Sequence, residues 1–196
     1  MTDIIDELRK HRSEAFTAQD SNAPVCFLAT TDPHGQPQVR TLVLREINDT
    51  DLTLFINASS PKWEQLQSNP QCQVLLWYAT LNLQYRITGI AEALPASAIT
   101  NNWHKRPHRA KVLDYFYDTV APQSATMASR DALLESFEAI NRTRAPGEMR
   151  PSVAALAIRV QLARIERLDL TEDGLPHIRQ QFDLSDTGWS ETTLVP

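Results

Sequence analysis

Hydrophobic and polar positions alternate with a period of two over several short stretches of this chain, and with a helical period over a few others. The clearest alternation runs through residues 84–93, where Gln84, Arg86 and Thr88 fall on one face and Tyr85, Ile87 and Gly89 on the other. Residues 25–30, 38–47, 52–57 and 73–78 also read as strands, as do 178–184 and 189–195, and 153–170 reads as one long or bent strand. Asp32-Pro33-His34-Gly35 is a hairpin turn signal and residues 48–51 form a second turn. Helical spacing predicts a helix over 2–18, with Ile5, Leu8, Ala15 and Phe16 on its apolar side. Ser60-Pro61 opens another, Ser suiting an N-cap and Pro the first helical position, and it ends near Asn69-Pro70. Further helices are expected over 95–103 and 129–140, the latter with Leu133, Phe137 and Ile140 on one face. Residues 104–123 are basic, then aromatic, and only partly helical in pattern, and 144–151 is a Pro/Gly loop. Strands outnumber helices and most connections are of hairpin length. The expected fold is mainly β with flanking helices (α+β), an antiparallel closed or nearly closed barrel.

The chain has 196 residues, enough for one domain with a sizeable core. Its formal charge of −5 argues against general nucleic-acid binding. No apolar run approaches the length of a membrane span, and residues 1–10 carry acidic side chains rather than an apolar signal core. Cys26 and Cys72 lie far apart in apolar stretches and read as reduced core residues. The histidines, including His11, His34, His104 and His108, show no metal-ligand spacing, so no metal is expected. A cytoplasmic enzyme or binding protein fits this composition.

Candidate chemistry concentrates between residues 40 and 94. Arg40 and Arg45 bracket the apolar run Thr41-Leu42-Val43-Leu44, and a cation within an apolar strand is costly unless something anionic pairs with it. Lys62 follows Ser59-Ser60-Pro61 at a helix start, where backbone N–H groups favour anions. An Arg, a Ser-bearing helix N-terminus and a Lys close behind it together suggest a phosphate holder.

These residues carry a resemblance to the pyridoxamine 5'-phosphate oxidase-like FMN-binding split barrels, covering roughly residues 25–196. Four motifs support it in order: Arg40 to Arg45; Phe55-Ile56-Asn57 leading to Ser60 and Lys62; Trp77 followed by the Gln84 strand; and Gln123-Ser124 ahead of a helix. The resemblance implies a homodimer with FMN in clefts between subunits. It implies that Arg40, Ser60 and Lys62 hold the FMN phosphate, beside Phe55 and Ile56, and that the 42–44 backbone lines the isoalloxazine ring. Gln84 would hydrogen-bond the ring, and Gln123 and Ser124 would reach it from the partner subunit. Arg45, Arg106, His177 and Arg179 fall where the oxidases hold their substrate.

The chain also departs from the family pattern. Ile56 replaces a threonine beside the phosphate, and Pro61 replaces a basic residue. On the substrate side Asn102 replaces a Tyr, Ala110 a Ser, His177 and Gln181 two arginines, and Leu168 stands near a family Trp. The cofactor half is better kept than the substrate half. A flavin oxidoreductase with a small anionic substrate is therefore expected. Pyridoxamine or pyridoxine phosphate oxidation and a non-catalytic FMN carrier or sensor are the alternatives.

Overall fold

The computed structural model describes residues 3–145, 147–170 and 175–196. Eight strands run as β1 (Val25–Thr31), β2 (Pro37–Ile47), β3 (Asp51–Asn57), β4 (Gln71–Tyr78), β5 (Leu83–Ala93), β6 (Ala155–Asp169), β7 (Ile178–Ser185) and β8 (Gly188–Leu194). The α-helices are α1 (Ile4–Thr17), α2 (Pro61–Ser68), α3 (Ala96–Asn102), α4 (His108–Thr119) and α5 (Arg130–Thr143). The stretch of uncertain pattern before Gln123 thus holds α4, preceded by a 3-10 turn over Trp103–Lys105.

The strands hydrogen-bond in the order β3-β2-β1-β4-β5-β6-β7-β8, and β3 also pairs with β6. That last pairing closes six antiparallel strands into a barrel and leaves β7–β8 as a hairpin continuing from its wall. The length of β6 follows from its double duty. Its first half, from Ala155 to Gln161, pairs with β3, and its second half, from Arg164 to Asp169, pairs with β7. The β5–β6 register slips between Thr88 and Gly89. A Cβ on Gly89 would stand 2.4 Å from the Gln161 carbonyl oxygen, so this close approach admits only glycine.

Alternation puts Leu28, Val74, Leu76, Tyr85, Ile87 and Ile165 inside the barrel, each fully buried. Helix α1, N-capped by Asp3 through Ile5 N–H, adds Ile4, Ile5, Leu8 and Ala15 to that core. Arg12 ties the helix down, donating to the carbonyls of Ala23 and Leu44 at 3.2 and 2.6 Å. Phe16 departs from expectation. It is 51% exposed, because its place after Ala15 turns it off the buried stripe, and the Arg12 guanidinium covers its ring. A second, smaller core of Ile99, Trp103 and Ala157 packs α3 on the outside of the barrel. Leu133, Phe137 and Ile140 of α5 are only half-buried, against α4. Cys26 and Cys72 are buried free thiols whose pKa values burial pushes up to about 12, which makes them inert packing residues. Among the described residues no helix is long and apolar enough to cross a membrane.

Candidate functional site

Arg40 lies opposite Leu28 in the β1–β2 ladder. One guanidinium nitrogen, Nη1, donates to Thr30 Oγ1 at 2.6 Å and to the carbonyls of Gln38 and Leu28 at 3.2 and 3.3 Å. The other, Nη2, donates to Gln65 Oε1 on α2 at 3.0 Å. Every one of these acceptors is neutral, so the group is aimed without being neutralised. Lys62, in the first turn of α2, is only 7% exposed and donates through Nζ to Gln123 Oε1 at 3.1 Å. Burial, with a further push from the Arg40 charge, brings the Lys62 pKa down to about 8. Among the described residues neither Arg40 nor Lys62 forms an ion pair. Two cations near each other in a partly dry site, without a carboxylate, make a place for an anion.

Ser60 occupies the N-cap position of α2 with Pro61 behind it, as the sequence predicts, yet its hydroxyl makes no cap hydrogen bond. The Trp63 N–H instead donates to the Ser60 carbonyl at 2.9 Å. Ser60 Oγ is left buried and, among the described residues, without a partner, close to Lys62 at a helix start. A buried hydroxyl in that state is costly unless a ligand completes it.

Gln123 reaches this cluster within the one chain. Its N–H donates to Ser59 Oγ at 3.1 Å, and Ser59 Oγ donates to Asn57 Oδ1 at 2.6 Å. The chain after α4 thus folds back onto the start of its own α2. Ser124 is exposed, with a positive φ of 73°. Ile56 is buried in the main core, Thr41 is exposed on the outer face, and Leu42 and Leu44 point inward.

A second group forms outside β2 and β3. The β2–β3 register slips between Leu44 and Glu46, a bulge that re-aims Arg45. Its guanidinium carbon sits 5.2 Å above the centre of the Phe55 ring, and its buried Nε has no hydrogen-bond partner. Arg45, Glu46, Phe55, Asn102 and Arg106 line a cavity of about 230 Å³. Arg106 is not a free cation there: Nε stands 2.6 Å from Asp114 Oδ2, and Nη2 donates to Oδ1 at 2.9 Å. Asp114 is 2% exposed, and its pKa is raised because burial outweighs the pull of Arg106. The sequence reading missed Asp114 and Gln65. An aspartate inside the aromatic run Leu113–Tyr117 was the available signal for the first, and nothing in the local pattern marked the second.

The remaining expected site residues lie elsewhere. Gln84 is half-buried on the outer face of β5, facing Trp77 in register, and it lines a separate cleft with Phe27, Val39, Leu75 and Arg86. Arg179 donates to Glu166 at 2.9 Å, a carboxylate it shares with Arg86 at 3.5 Å. His177 is exposed just before β7 and lines none of these cavities. Within one chain, the phosphate-type cluster and the Gln84 face are not joined.

A six-stranded antiparallel barrel with flanking helices and two cations at the start of an inserted helix defines a split-barrel class of protein. A family model described as pyridoxamine 5'-phosphate oxidase matches residues 13–144. The chain belongs to that family. It is 32% identical over 170 residues to a pyridoxine/pyridoxamine 5'-phosphate oxidase of Deinococcus deserti, covering 86% of this chain and 78% of that protein. A protein of the same name from Ralstonia pickettii is 30% identical over 128 residues, and that match spans only 60% of its length. Among solved structures, PhzG of Burkholderia lata, in complex with tetrahydrophenazine-1-carboxylic acid, superposes with a TM-score of 0.86 at 21% identity, covering 100% of this chain and 94% of that one. A pyridoxamine 5'-phosphate oxidase-related, FMN binding protein of Nostoc punctiforme gives 0.78 at 20% identity, covering 97% and 96%. At these identities the two structures speak for the fold.

Proposed function

We propose that this protein binds FMN and serves as a flavin oxidoreductase on a small substrate carrying at most one negative charge at the Arg45 cavity. The observation that carries the cofactor half is the unneutralised pair Arg40 and Lys62 beside the unpartnered, buried Ser60 hydroxyl. That donor set fits a phosphate monoester, with Gln65 and Gln123 fixing the two cations. When bound, FMN would supply the hydride chemistry, and the protein's part is binding, orientation and electrostatics. The backbone of Leu42 to Leu44 would line the ring.

A homodimer is part of this reading. Val39 and Val43 are 72% and 47% exposed on the outer face of β2, and Val39 lines a cleft with Phe27 and Leu75. A second copy covering this apolar face would bring Gln84 to the partner's cofactor, which accounts for its separation from Arg40 in one chain.

Charge limits the substrate. Asp114 neutralises Arg106, and Glu46 stands on the cavity wall, so Arg45 is the cation with unspent capacity. A carboxylate suits that balance better than a phosphate dianion. The names of the curated relatives favour pyridoxamine or pyridoxine phosphate oxidation as the second reading. Asn102, Ala110 and the Asp114 lock on Arg106 weigh against it.

The test is a fluorescence titration of apo-protein with FMN, then oxygen consumption with pyridoxamine phosphate. Saturation at one FMN per chain with little turnover is expected. Absence of saturable binding overturns the cofactor half, and rapid pyridoxal phosphate formation overturns the substrate half.

A further inference from the structure

The first turn of α4 carries His108, Arg109 and Lys111, and no acidic residue. A helix N-terminus already bears partial positive charge, so this placement is unfavourable unless an anion compensates it. Lys111 sharpens the case. It is only 8% exposed, yet among the described residues it makes no hydrogen bond or ion pair. Its Nζ lies 5.7 Å from the centre of the Trp103 ring, and Arg106 lies over the same ring at 5.9 Å. The Trp103 indole N–H donates to the Met149 carbonyl at 2.6 Å, which fixes the ring as a platform. Lys111, Arg106, His104, His108 and Arg150 line an open cavity of about 530 Å³, and no carboxylate is among its described lining residues. His108 Nε2 is held at 2.9 Å from Asn141 Oδ1, while its Nδ1 is buried without a partner.

We infer that this cavity is a second anion site, separate from the Arg40–Lys62 cluster, and that it takes a phosphorylated small molecule. Lys111 is its central cation and Arg150 its exposed rim. A phosphate offers several acceptor oxygens in a tetrahedral array, which suits donors converging from α4 on one side and the Met149–Arg150 segment on the other. Arg106 contributes less, because Asp114 already neutralises it. The site does not depend on the FMN reading.

The experiment is calorimetric titration of the full chain, pre-incubated with excess FMN, with inorganic phosphate, pyrophosphate and citrate at low ionic strength. Saturable binding of phosphate is expected, tighter for pyrophosphate and weaker for citrate. Lys111→Gln should weaken it by about tenfold, the scale of one charge-assisted hydrogen bond. Arg150→Gln, at an exposed position, should weaken it by roughly threefold, and Arg40→Ala should leave it unchanged. No saturable binding, equal affinity in both Lys111→Gln and Arg150→Gln, or loss in Arg40→Ala alone overturns the site. Citrate binding more tightly than pyrophosphate overturns the phosphate class.

Discussion

Two cationic groups flank the barrel of this protein, and they are built in opposite ways. Arg40 and Lys62 are aimed by neutral oxygens of Thr30, Gln65 and Gln123 and, among the described residues, pair with no carboxylate. Arg106 is gripped from two nitrogens by the buried carboxylate of Asp114. In the first group the protein bears the cost of partly buried charge without a described counter-charge. In the second, compensation comes from within the chain. The same residue type therefore stands without a described counter-charge in one place and is neutralised in the other, and the nearest carboxylate decides which. The largest effect expected from this contrast is on folding. Asp114→Ala should destabilise the protein by about 3 kcal/mol, because it strands Arg106 in a largely buried position. Urea unfolding would measure it, and a loss below about 1 kcal/mol would mean that the pair is merely a surface contact. Asp114→Asn, which keeps the shape, should also free Arg106 and raise the affinity of the Arg45 cavity for phosphate-bearing ligands.

Removing a cation from the first group should do the reverse. Arg40→Ala and Lys62→Met should each weaken FMN binding by about 30-fold, from the loss of one charge-assisted contact of roughly 2 kcal/mol. Lys62→Met should leave apo-protein stability unchanged or slightly raised, since no partner loses its counter-charge. A Lys62→Met variant that loses stability while its FMN affinity is intact would erase the distinction between the two groups.

The next effect is a pH dependence that separates stability from binding. Burial lowers the Lys62 pKa from 10.5 to about 8 in the folded chain. Between those values the unfolded chain carries a proton on Lys62 that the folded chain lacks. Unfolding therefore takes up a proton, and the apo-protein gains stability from this group as pH rises from 8 towards 10.5. FMN affinity should move the opposite way, weakening as pH rises above 8, because the phosphate needs Lys62 charged. Binding near pH 9 should accordingly take up a proton, visible as a buffer-dependent heat in calorimetry. Equal heats in buffers of different ionisation enthalpy would remove Lys62 from the phosphate site.

The sequence pattern carried much of this contrast and missed one side of it. Alternation along 84–93 and the Ser60-Pro61 helix start located β5 and α2, because period and cap chemistry are local. The Arg40–Lys62 pairing was legible because both lie in short motifs whose separation the barrel preserves. Asp114 was not legible in the same way. It sits in the stretch whose basic and aromatic residues masked the α4 period, and its role depends on a contact across eight residues and a proline. Nothing local in the sequence reveals that the chain after α4 returns to its own α2, where Gln123 meets Lys62.

The smallest expected effect concerns Ile56, where the family resemblance implies a lost phosphate donor. The side chain is 7% exposed and packed in the main barrel core, opposite Leu156 across the β3–β6 ladder. An inward residue there contributes packing before it contributes a hydrogen bond. Ile56→Thr should cost about 1–2 kcal/mol of stability, from lost apolar contact and a newly buried hydroxyl. It should tighten FMN by less than about threefold, well below the value of one fully formed contact to a charged group. A tightening of tenfold or more would show that position 56 faces the phosphate when FMN is bound. The shortfall in the cleft would then be chemical, and the Arg40–Lys62 pair would no longer be sufficient on its own to define the site.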